Sequence, residues 1–182
     1  MAWTIDSAHS QISFSVRHMM ISNARGRFEV FTGVIDFDEN NLTTLSIDVA
    51  IETGSINTRE EARDAHLRSD DFFASERFPV ARFRSTGVEN VAGGAIRLKG
   101  DLTIREITHP VTLDVQYAGI VTSPWGAVTA GFSGHLRINR KAWGLEWNQV
   151  LEAGGVLVGD EVKLDIELEL VKQDVAETVE VA

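Results

Sequence analysis

Apolar and polar residues alternate strictly along nearly the whole chain, and a period of two residues belongs to the β-strand, whose successive side chains point to opposite faces. Three stretches show it without interruption. Leu45, Ile47, Val49 and Ile51 alternate with Ser46, Asp48, Ala50 and Glu52; Ile96, Leu98, Leu102 and Ile104 alternate with Arg97, Lys99, Asp101 and Thr103. Val162, Leu164, Ile166, Leu168 and Leu170 alternate with Lys163, Asp165, Glu167 and Glu169. Each stretch has one dry and one wet face, the pattern of an antiparallel sheet packed on one side only. With 182 residues, 43% of them apolar, the chain is long enough to bury one sizeable core.

Counting the weaker cases, eight strands are predicted at 11–18, 26–38, 44–52, 80–90, 95–105, 110–122, 127–139 and 160–171. In the second, the apolar phase slips from Phe28 and Val30 to Phe31, Ile35 and Phe37, which predicts a β-bulge near Val30. Laid alternately up and down, the strands separate their connections into two ends. Links at 39–43, 91–94 and 123–126 are short and fall at one end, the closed bottom; links at 19–25, 53–79, 106–109 and 140–159 fall at the other, and three of these are long. Eight strands paired in sequence close when the last meets the first, and closure removes exposed sheet edges. The fold class expected is therefore all-β, an eight-stranded antiparallel up-and-down barrel, with a two-sheet sandwich as the alternative. A single domain spans 1–172, followed by an acidic tail at 173–182 expected to be mobile.

One helix is predicted, from Arg59 to about Ser69 in the longest top loop, with Thr58 and Glu61 as a capping box and Asp64 and Arg68 as an exposed ion pair. Its inner face would be Ala62, Ala65, His66 and Ser69. Phe72, Phe73 and Phe78 follow, near the top-end Met19, Met20 and Ile21 and the Trp143/Trp147 pair. These residues either cork the barrel or line the mouth of a ligand cavity. Small residues at inward positions, Gly33, Gly100, Ala130 and Gly134, favour an open lumen, although glycine also serves to bend a strand. An eight-stranded lumen is wide enough only for side chains or one small ligand, so long strands favour a chain-like one. The candidate lumen residues are Phe14, Val16, Phe28, Phe83, Leu98, Ala130, Phe132 and Gly134. Those of the mouth are His18, Met20, Arg63, His66, Phe72, Phe73, Arg140 and Trp143. Arginines expected there, at 25, 63, 68, 105 and 140, would hold an anionic head group or pair with nearby acids.

Other chemistries find little support. The chain has no cysteine, which removes disulfides, thiolate nucleophiles and thiolate metal sites. A net charge of -10 repels phosphate backbones, so nucleic acid is not expected as a partner. No G-x-S-x-G elbow, phosphate loop or dinucleotide fingerprint occurs. Five histidines, at 9, 18, 66, 109 and 135, lack metal-ligand spacing, and no metal or other cofactor is expected. Asp6-Ser7-Ala8-His9-Ser10 reads as a turn. The start has neither a basic leader nor an apolar h-region, and no apolar run reaches the roughly 18 residues of a membrane span, so a cytoplasmic protein is expected.

Several blocks, taken in order, resemble one known family. They are Asp6-Ser7-Ala8-His9-Ser10 with Phe14, Val16 and His18; Ser55-Ile56-Asn57-Thr58 with Arg63-Asp64 and His66-Leu67; and Asp71-Phe72-Phe73 with Pro79, Phe83 and Ser85. Gly100 to Arg105, Asn139-Arg140 and Gly159-Asp160-Glu161-Val162 continue the series. From about Trp3 to Val171 the chain resembles the YceI-like proteins. The resemblance implies a lipocalin-like barrel that takes an extended isoprenoid-type lipid, polyprenyl phosphate or quinone-like, with its polar head at the mouth and no catalysis. Transient membrane contact and a homodimer are compatible with it. Glu106 stands where the family often has glycine, and Ala142-Trp143 where an acidic residue and Phe are common. Two rival readings are an enzyme using His18, His66 and nearby carboxylates, and a stress-related interaction protein with a filled barrel.

Overall fold

The structure, a computed structural model, describes residues 2–152 and 154–173, and of Ala2 and Asn90 the backbone alone. Most of the expected acidic tail, 174–182, lies outside the described residues. Among the described residues, eleven strands form one sheet: β1 (Ala2–Ile5), β2 (Gln11–His18), β3 (Ser22–Phe28), β4 (Phe31–Asp38), β5 (Asn41–Glu52), β6 (Ile56–Asn57), β7 (Val80–Ala92), β8 (Ala95–Ile104), β9 (Ile107–Thr122), β10 (Val128–Asn139) and β11 (Val158–Lys172). One helix, α1 (Glu61–Arg68), interrupts the series. It is too short to cross a membrane, and no other helix among the described residues is long and apolar enough to do so.

The sheet closes into an eight-stave antiparallel barrel because β1 pairs with both β4 and β11. Two of the staves are broken. β1 meets Leu170 to Lys172 of β11 while β2 meets its upper part, from Val158 to Glu167, so β1 and β2 are two halves of one stave separated by residues 6–10. β3 and β4 are likewise halves of the next, parted at Glu29 and Val30 where the phase slip predicts a bulge: β3 pairs with β2 and β6, β4 with β1 and β5. The expected strand at 26–38 is thus longer, beginning at Ser22, and β1 and the two-residue β6 are additions to the eight expected.

Burial follows the alternation. On β8, Ile96, Leu98, Gly100, Leu102 and Ile104 are buried while Arg97, Lys99 and Asp101 are exposed. Inward residues of β10, Ala130, Phe132, Gly134, Leu136 and Ile138, are buried too, in the phase expected. The bottom of the barrel is filled by aromatic rings from four strands: Trp3 stacks on Phe37 at 5.0 Å, and Phe37, Tyr117 and Phe132 meet one another at 5.1 to 5.7 Å. Gly100 makes room for the Phe83 ring, since a Cβ there would lie 2.3 Å from it.

The top hairpin between β8 and β9 is tighter than expected. Ile104 pairs with Ile107, so Arg105 and Glu106 alone turn the chain and β9 starts at 107, not 110. Both have left-handed backbone, φ 52° and 63°, as a two-residue primed turn demands. Arg105 repays its strain by donating to the carbonyls of Phe72 and Gly144 at 3.1 and 3.2 Å, tying two top loops together. Glu106 is exposed and makes no such contact. Glu106→Gly is therefore expected to stabilise the barrel by about 1 kcal/mol, read as a raised denaturant midpoint; an unchanged or lowered midpoint would show that Glu106 holds more than its own turn.

Candidate ligand cavity

Above the aromatic plug the barrel is not filled. A cavity of about 290 Å³ occupies its upper part, close to the lower end of the roughly 300–1,000 Å³ typical of small-molecule sites. Its walls are inward residues of the strands: Ile12, Phe14 and Val16 of β2, Ile47, Val49 and Ile51 of β5, Ala81 and Phe83 of β7, Leu136 and Ile138 of β10, and Val162 to Leu168 of β11. The cavity explains a gradient along β11. Leu168 and Leu170 are buried, whereas Val162, Leu164 and Ile166, in the same phase, are only half-buried because they face open space.

The segment after β6 folds over the mouth. Asp64, buried in α1, accepts hydrogen bonds from the backbone N–H and the hydroxyl of Thr58, so Asp64 and not Glu61 secures the helix start, and it is not the exposed partner of Arg68. The face turned to the cavity is Arg63, His66 and Leu67; Ala62 and Ala65 are exposed, contrary to the periodicity. β6 and Thr58 approach β3 closely at Gly26, where a Cβ would lie 2.6 Å from Phe14 and 2.7 Å from Thr58. Phe73 meets Phe28 edge-on at 5.7 Å, and His66 meets Phe72 and Trp147 at 5.1 and 4.5 Å.

The charged side chains that line the cavity are all arginines. The lining includes Arg17, His18, Arg63, His66 and Arg140, and among the described residues no Asp or Glu. Three of these five are held by neighbours. Arg140 is buried and donates to the carbonyls of Gly159, Leu145, Trp147 and Val158, folding the long loop before β11 around its guanidinium, and burial pulls its pKa below the ordinary arginine value. His66 is held through Nε2 by Asp71 at 2.8 Å. Arg63 gives Nε and one terminal nitrogen to Thr58 and leaves the other 3.3 Å from the exposed Glu60. Arg17 and His18 have no side-chain partner among the described residues.

Of the lumen residues expected from sequence, Phe14, Val16, Phe28 and Phe83 line the cavity. Leu98, Ala130 and Phe132 lie among the packed side chains of the core and do not line it, because the aromatic plug takes the space below the floor. Gly134 stands beside them, where a Cβ would touch Ile166, Leu113 and Val115 at 3.8 Å. Among the mouth residues, His18, Arg63, His66, Phe72, Phe73 and Arg140 do line it. Met20 does not: it is exposed, its sulfur lying over Gly155. Trp143 does not either, being buried with its indole N–H donated to the Leu102 carbonyl at 2.9 Å and its ring against His109. Sequence reasoning missed Arg17, Ala24, Leu67, Leu157 and Val158; the last two follow a loop whose path depends on Arg140.

Away from the cavity, the break between β1 and β2 gathers Asp6, His9 and Glu169 within 4.8 Å of one another. Asp6 accepts from the Ala8 backbone and from His9 Nδ1 at 2.8 Å, the turn that its sequence implies. This hydrogen bond raises the His9 pKa and lowers that of Asp6.

Comparison with known proteins agrees with this architecture. The YceI-like domain matches residues 3–170. UPF0312 protein SA2479 of Staphylococcus aureus strain N315 is 38% identical over 169 residues, 92% of this chain and 95% of that protein. Among solved structures, BcnA of Burkholderia cenocepacia superposes with a TM-score of 0.80 at 24% identity, over 91% of this chain and 98% of its own. The YceI protein of Campylobacter jejuni gives 0.74 at 29% identity, over 87% and 90%. A polyisoprenoid-binding domain from Saccharophagus degradans gives 0.68 at 18%, over 94% and 98%, a likeness of fold. With nearly its whole length matched by the domain and by a relative of this identity, the chain belongs to the YceI-like family.

Proposed function

We propose that the protein binds, and sequesters or carries, an isoprenoid-type lipid whose chain enters the upper lumen and whose anionic head stays at the mouth. The observation that carries this reading is the pairing of an apolar cavity with a mouth lined by cations and, among the described residues, by no carboxylate, in a chain of net charge -10. Each methylene moved from water into such a cavity contributes about 0.8 kcal/mol, so affinity rises with chain length until the lumen is full. Arg17 and His18, without a side-chain partner among the described residues, are the head-group candidates, together with Arg63, whose outer nitrogen meets only the exposed Glu60; Arg140 is a loop-holding residue. One structural neighbour, the Saccharophagus degradans domain, is a polyisoprenoid-binding one, which points in the same direction. The reading assigns no reaction to the protein.

The test compares a polyprenyl phosphate with the alcohol of equal chain length. Charge-assisted hydrogen bonds contribute about 1.5–3 kcal/mol, so the phosphate is expected to bind at least about tenfold more tightly, with a difference that shrinks in high salt. Equal affinities would remove the cations from the account; no uptake of either ligand would remove the function.

A further inference from the structure

Beside the mouth, large apolar side chains point into water. The β2–β3 hairpin ends in Met19, Met20 and Ile21, which are 44%, 55% and 80% exposed. Met19 donates its N–H to the Leu157 carbonyl at 2.8 Å and Met20 lies over Gly155, so this tip packs on the hairpin in which Val150 pairs with Val156. Those two valines are exposed as well, and the next residues, Leu157 and Val158, line the cavity. A continuous apolar rim therefore runs from solvent into the lumen.

Two costs remain at this tip despite its contact with the neighbouring hairpin. Met19 and Met20 hold left-handed backbone, φ 51° and 64°, which asparagine or glycine adopts with less strain, and the rim exposes hydrocarbon to water. Such a combination is expected where the surface meets something apolar. Charge identifies what. Just below the tip, Arg17 and Arg25 are exposed on paired strands and have no ion-pair partner among the described residues. Arg27, Arg82, Arg84 and Arg137, elsewhere on the barrel, each have a carboxylate. The acids of the neighbouring loop, Glu146 and Glu152, are exposed, and Asp160 at the start of β11 is taken by Lys141 at 3.3 Å. An apolar tip above a basic collar is the arrangement that seats on anionic lipid.

We propose that the Met19–Ile21 tip, with Val150 and Val156, is a docking surface for an anionic lipid bilayer, holding the cavity mouth against the membrane. It rests on the lipid-binding reading for its purpose, since a lipid that passes from bilayer to lumen would not cross water. Its evidence, the exposed rim and the unpaired arginines, is separate from the cavity.

The experiment floats the full chain with vesicles of phosphatidylglycerol and phosphatidylcholine, or of phosphatidylcholine alone, and measures in parallel the uptake of a fluorescent long-chain fatty acid from solution. The native protein is expected to float with the anionic vesicles and to be released by high salt. Ile21→Asp, at an exposed position outside the cavity lining, is expected to weaken flotation at least about tenfold, and Arg25→Gln about fivefold, both with unchanged uptake of the probe. Native protein that stays with the soluble fraction, or Ile21→Asp that floats as before, overturns the proposal. So does sedimentation showing a dimer that Ile21→Asp dissociates, without flotation, because the rim then covers a second copy. Flotation that persists while the probe is not taken up supports docking and overturns the cavity reading instead.

Discussion

Leu136→Trp is expected to abolish lipid uptake while the barrel stays folded. Leu136 points inward from β10 and forms part of the cavity wall, so the larger indole extends into space that the native protein leaves open. At about 0.8 kcal/mol per methylene, displacing even four methylenes of a bound chain costs about a hundredfold in affinity. The control is Ala130→Phe on the same face of the same strand. Ala130 is 2% exposed among packed neighbours outside the cavity lining, so its enlargement overpacks the core and costs about 1–3 kcal/mol with uptake retained in the folded fraction. Unfolding midpoints and a lipid titration on both variants separate the two halves of the barrel. A Leu136→Trp protein that binds as before would show that the lipid sits elsewhere.

Arg140→Leu is expected to lower stability by about 3 kcal/mol or more. The substitution keeps the site apolar but leaves the carbonyls of Gly159, Leu145, Trp147 and Val158 without their charged donor. A hydrogen bond to a charged group contributes about 1.5–3 kcal/mol, and the total falls short of four such values because the loop relaxes and water reaches some acceptors. Lysine offers a compact ammonium in place of the planar fork, so Arg140→Lys recovers only part of the loss. Chemical denaturation measures both. Since Leu157 and Val158 line the mouth, binding is expected to weaken as well. An Arg140→Leu protein of native stability that loses only lipid would make Arg140 a head-group ligand.

The barrel was legible because its signal is local. In β5, β8 and β11, every second residue states which face it occupies, and the structure places those faces as the alternation implies. Short or broken elements were harder. Four residues of β1 offer too few alternations to distinguish a strand from a terminal segment, yet β1 closes the ring. Arg105-Glu106 turns the chain without the glycine or asparagine that marks a primed turn, and Pro110 inside β9 argues against a strand there, so the start of β9 was displaced.

The cavity was half legible for a different reason. Inward phase names every residue that faces the interior, but whether a given level is full depends on volumes summed across staves. Trp3, Phe37, Tyr117 and Phe132 lie far apart in sequence and meet only at the bottom. No single strand records that meeting, and Leu98, Ala130 and Phe132 were for that reason assigned to an open lumen. The same limit applies to Arg140, whose four acceptors lie in a loop with no periodic signal and at the first two residues of β11.

A lipid held in the upper lumen is recovered by solvent extraction of the purified protein and identified by mass spectrometry. The native chain is expected to yield a polyprenyl or quinone-like amphiphile at near one molecule per chain, and Leu136→Trp prepared in parallel to yield almost none. An empty native extract, together with no uptake of added polyprenyl lipids, or an extract that Leu136→Trp leaves unchanged, would contradict a lipid in the upper lumen.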